Sequence, residues 1–165
     1  LVSGSEIGLS LSMPLFLVTG TLLAWRLMRV RGIVRAAFGT WIVAFLVMIV
    51  INAVATQGSP GLVFVSIFLS LFFALPIILF RIAIRGQTST GRLLTALAIT
   101  FAVCLIVVVS MYLLMGAPIE VLAMAVPISA GILALTLLPL AALIRWNPWA
   151  RAVVTGEMFE SRASE

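Results

Sequence analysis

Long apolar runs alternate along this chain with short stretches that are basic, or rich in Gly, Pro and Ser. Five such runs cover about residues 7–25, 36–55, 62–80, 93–115 and 119–144. Each approaches or exceeds the roughly 20 residues that an α-helix needs to cross a hydrocarbon core about 30 Å thick. The pattern predicts an all-α integral membrane protein, a bundle of five transmembrane helices over residues 1–144 with a tail over 145–165.

The first run is the most polar, with Ser10, Ser12, Thr19 and Thr21. No basic residue precedes it and Arg26 follows at once, the reverse of a secretory signal peptide, so a retained helix is expected. Thr56 to Gly61 and Gly116-Ala117-Pro118 are made of helix-breaking residues and predict tight turns. Prolines fall inside the odd-numbered runs only, at Pro14, Pro76, Pro127 and Pro139, and predict kinked helices there. The fifth run is longer than a bilayer requires and is expected to tilt or kink.

Composition identifies the solvent. The 165 residues are 64% hydrophobic and only 9% charged, with a mean hydropathy of +1.32, too few charges to cover a water-facing surface. Lipid must meet most of the exterior.

Charge then sets the orientation. All ten basic residues are arginines in three stretches, Arg26/Arg29/Arg31/Arg35, Arg81/Arg85/Arg92 and Arg145/Arg151/Arg162. Short basic loops stay in the cytoplasm, so the N-terminus is expected outside and the C-terminus inside. Trp25, Trp41, Trp146 and Trp149 fall at the same boundary, where interfacial indoles belong, while Tyr112 lies near the other. These tryptophans, with Arg26, Arg29, Arg31, Arg35, Arg81, Arg85, Arg92 and Arg145, are the expected contacts for anionic headgroups or a docking partner. The net charge of +5 is thus topological, and no nucleic-acid partner is expected. Arginine without lysine points to a GC-rich genome and a bacterial or archaeal cytoplasmic membrane. In the tail, Pro148 ends the fifth helix or starts a short interfacial one whose buried face would be Ala150, Val153, Val154 and Met158, with Ser161 to Glu165 frayed.

Absences bound the chemistry. The chain has no His, Asp or Lys and one cysteine, Cys104. His-ligated haem, most zinc and copper sites, and triads that need a histidine base are excluded, and no cofactor is expected. Cys104 reads as a small buried apolar residue. Gly86 to Leu93 comes within two residues of a phosphate-binding loop, but Arg92 and Leu93 replace its Lys and Ser/Thr. Ser89 or Thr90 there is expected to cap the fourth helix.

Glu120 is a carboxylate about one turn into the fifth helix. It is a candidate ion or proton site, weighed against the simpler role of a negative charge at a helix N-terminus. Asn52 and Gln57 can bond across helices, and Ser66, Ser70 and Ala74, four residues apart, predict a close helix–helix contact. Trp25-Arg26 and Phe80-Arg81 echo one another in a faint hairpin repeat.

With no catalytic set and very short loops, the expected function is a non-catalytic subunit or assembly factor of a larger membrane complex. The alternative is a small transporter or channel component, alone as a homo-oligomer or with partner subunits. An intramembrane lipid enzyme is the weakest reading, because Glu120 has no catalytic partner.

Overall fold

Every apolar run folds as one helix. The computed structural model describes residues 4–28, 32–56, 61–84 and 87–155, which are helical without a strand. In order they form α1 (Gly4–Leu27), α2 (Ile33–Thr56), α3 (Leu62–Ile84), α4 (Thr90–Leu114), α5 (Ile119–Trp146) and α6 (Pro148–Thr155). Among the described residues, four helices, α2 to α5, are long and apolar enough to cross a membrane; the described apolar part of α1, Ser12–Leu27, is shorter. Arg29, Arg31, Arg85 and Arg162, the turn residues Gln57 to Pro60, Gly86, and the end of the tail with Met158 lie outside the described residues.

Helices overrun their apolar runs for a local reason: backbone hydrogen bonding continues where hydropathy stops. α3 extends to Ile84 and so carries Arg81 inside its last turn. α4 begins three residues before its apolar run because Ser89 Oγ accepts the Arg92 N–H at 3.4 Å and caps it, as expected. At its other end Gly116, with φ +66°, donates to Leu113 O, and Ala117 donates to Tyr112 O, both at 3.0 Å. This pair of bonds closes the helix with a left-handed glycine, and Pro118 starts α5 at once. α5 has 28 residues, about 42 Å at 1.5 Å per residue.

Sequential helices pack side by side, α2 on α3 most extensively, and α5 returns to α1 to close the ring. Two ends can be distinguished. The basic end holds the termini of α1, α3 and α5 and the short helix α6; the turn end holds Gly61 and Gly116. Burial is concentrated toward the basic end. α5 buries Leu133, Thr136, Leu137, Leu140, Ala141 and Ile144 but nothing between Ile119 and Ile132. Among the described side chains of α1, Leu17, Val18, Thr21, Leu22 and Trp25 are buried.

The amphipathic α6 closes that end. Asn147 Oδ1 accepts the N–H groups of Trp149 (2.9 Å) and Ala150 (3.4 Å), and Pro148 occupies the first helical position. Ala150, Val153 and Val154 are buried, as the tail sequence suggested, in contact with α1 and α5.

Candidate functional site

The small-residue stripe of α3 lies at its interface with α2. Ser66, Ser70 and Ala74 are buried, and Asn52 Nδ2 of α2 donates to Ser66 Oγ at 3.0 Å. Ser70 Oγ donates to Ile67 O of its own helix at 2.7 Å, so its hydroxyl costs the interface nothing.

A second close crossing, between α1 and α2, escaped the sequence reading. A Cβ on Gly20 would lie 2.9 Å from Val43 Cγ1, and one on Gly39 would meet Met28 Sδ at 3.0 Å. Glycine at these two positions leaves room for the Val43 and Met28 side chains in the crossing. The signal was available, since Ala36, Thr40 and Ala44 repeat the four-residue spacing seen on α3.

Trp25 corrects an expectation. Its indole is 1% exposed, so it does not present itself to headgroups. Nε1 donates to Ala36 O (3.1 Å) and Thr40 Oγ1 (3.0 Å) on α2, and the Arg81 guanidinium of α3 lies 5.4 Å from its ring centre. One side chain thus joins three helices. Trp25 sits on the face of α1 that also buries Leu17, Val18, Thr21 and Leu22, a face that hydropathy does not mark when lipid and core are both apolar.

The other tryptophans differ from one another. Trp146 is 79% exposed, as an interfacial indole would be. Trp149 is partly buried under Arg26, whose guanidinium lies 5.5 Å from the ring centre. Trp41 is partly buried between Phe38 and Phe45, each ring 6.1 Å away, and its buried Nε1 has no hydrogen-bond partner among the described residues. Of the arginines, Arg26, Arg35 and Arg145 are exposed, whereas Arg81, Arg92 and Arg151 are partly buried. Arg151 donates to Arg145 O, which ties α6 to the end of α5.

No protein-family model, curated protein or solved structure matches this chain. Its chemistry is therefore read from the geometry alone.

Glu120 is exposed in the first turn of α5, with no hydrogen bond or ion pair to another described residue. Cys104 is buried and lines a cavity of about 40 Å³ between α3, α4 and α5, together with Pro76, Val108, Ser129 and Thr136. Pro76 lacks an N–H, so the carbonyl of Phe72, also in that lining, loses its helical donor. Toward the turn end a second groove of about 380 Å³ shares Phe72, Val108, Ser129 and Ile132 with that cavity and is lined also by Met111, Tyr112, Met115, Ala125 and Ile128. These walls carry hydroxyls, a thiol and thioethers but no acid–base pair. The buried hydroxyls of Thr40, Ser70 and Thr136 donate within their own helices, to Ala36 O, Ile67 O and Ile132 O. No chain of polar groups crosses the middle of the bundle among the described residues.

Proposed function

We propose that the chain is a non-catalytic multi-pass subunit, or an assembly or stabilising factor, of a larger membrane protein complex. All five long helices cross the bilayer, with the N-terminus outside, the basic end in the cytoplasm and α5 tilted to fit. Positive charge and exposed Trp146 at one end, and short uncharged turns at the other, support that orientation.

One observation carries the subunit reading. The half of α5 nearer the turn end exposes Ala123, Pro127 and Gly131 in a row, and a Cβ added at Gly131 would meet nothing within 4 Å. Within the chain, stripes of this kind are covered by a neighbouring helix, Ser66/Ser70/Ala74 by α2 and Ala36/Thr40 by α1. A smooth row facing lipid gains nothing from being smooth, because association in a bilayer rests on close van der Waals packing. The occupant is a transmembrane helix of a partner subunit. A photo-crosslinking residue at position 131 should trap one defined membrane partner, while the same residue at exposed Val34 on α2 should trap none.

A second reading, a small transporter or channel component, draws on the cavity beside Pro76. It is the weaker one, because Cys104, Ser129 and Thr136 offer an ion no charge at mid-depth.

A further inference from the structure

Among the described arginines, Arg81 is the one seated against a fully buried indole. It lies partly buried in the last turn of α3, with Phe80 and Ile84 fully buried on either side of it in the sequence. The guanidinium carbon lies over the Trp25 ring, 5.4 Å from its centre. Among the described residues it has no hydrogen bond or ion pair, and no described carboxylate lies at the basic end, Glu120 being at the other.

A partly buried cation is costly unless an anion meets it, no described residue supplies one here, and a stacking contact offsets only part of the cost, about 0.5–2 kcal/mol. The geometry nevertheless arranges it well for an anion. Held over a ring, the guanidinium keeps its fork of N–H donors, which matches two phosphate oxygens. Trp25 cannot yield, since its own N–H is fixed by Ala36 and Thr40, so the guanidinium is seated on a rigid platform. Arg26, next along α1, is fixed over Trp149 and adds positive potential at the same end.

We propose that Arg81 on Trp25 forms a discrete binding site for the phosphate of an anionic phospholipid, between α1 and α3 at the basic end. Basic pockets between membrane helices on the cytoplasmic side hold such headgroups. The inference rests on the membrane-spanning reading but not on the existence of a partner subunit, so the purified chain suffices to test it.

The experiment is native mass spectrometry of the chain in mild detergent, titrated with phosphatidylglycerol or phosphatidylcholine. Wild type should retain one phosphatidylglycerol in preference to phosphatidylcholine, and excess inorganic phosphate should not displace it. Arg81→Gln should lower that retention about tenfold or more, and clearly more than Arg35→Gln or Arg145→Gln, which each remove one exposed charge at the same end. If Arg81→Gln does not fold, Arg26→Gln should weaken retention in part, and the wild-type lipid preference still decides. Equal retention of both lipids by wild type, an equal loss in Arg35→Gln, or displacement by inorganic phosphate would each overturn the proposal. A chain that stays soluble without detergent would instead sink the membrane-spanning reading itself.

Discussion

Asn52 and Ser66 join the last turns of α2 to the first turns of α3 through a 3.0 Å hydrogen bond. Such bonds between membrane helices contribute about 0.6 kcal/mol on average, so Ser66→Ala should be nearly silent in detergent unfolding. Ser66→Leu should not be, because it forces bulk into a fully buried position between two closely packed helices. A loss of roughly 1–3 kcal/mol is expected. Equal stability of the two variants would mean that α2 and α3 are not in close contact there.

Trp25 should be among the most sensitive positions in the chain. Trp25→Ala removes a fully buried side chain that touches α2 and α3, and a loss of about 3–5 kcal/mol is expected in reversible unfolding. Trp25→Phe keeps the bulk and loses the two hydrogen bonds, leaving Thr40 Oγ1 still bonded to Ala36 O, so its cost should fall well below that of Ala. An interfacial, lipid-facing indole would instead show small effects for both.

Sidedness can be read with an impermeant maleimide on intact cells. A cysteine replacing Ser59 should react from outside, and one replacing Ser89 should react only after the membrane is opened. Native Cys104 is buried and should give little background. Labelling at 89 but not at 59 would reverse the orientation.

Much of the architecture was legible because hydropathy in a membrane protein is nearly a direct record of length. The five runs, the turns at Gly61 and Gly116, the cap at Ser89 and the stripe Ser66/Ser70/Ala74 all follow from local rules. What remained hidden depends on rotation about the helix axis. When lipid and core are both apolar, hydrophobic periodicity fades, and nothing in the run around Trp25 says that it faces inward. The Gly20–Val43 approach shows the one kind of periodic signal that survives, small residues where backbones come close. The groove beside α5 had no sequence signal, since it arises from where helices part rather than from what they contain.

Glu120 should tolerate neutralisation. It is exposed, and a carboxylate at a helix N-terminus is worth about 0.3–1 kcal/mol. Glu120→Gln should therefore leave complex assembly and any flux unchanged and lower stability only slightly. A marked loss of flux at constant protein level would move the reading toward ion or proton handling.

The most direct measurement is to extract the tagged chain from its own membrane in mild detergent and to weigh what remains bound, for wild type and Gly131→Leu in parallel. Position 131 has open space around it, so the variant should fold and unfold as wild type does. Wild type should bring one membrane partner in fixed stoichiometry, and Gly131→Leu should lose it. Recovery of wild type alone, or only as a homo-oligomer, or a partner retained by the variant, would contradict the assignment of the exposed α5 row as a subunit interface.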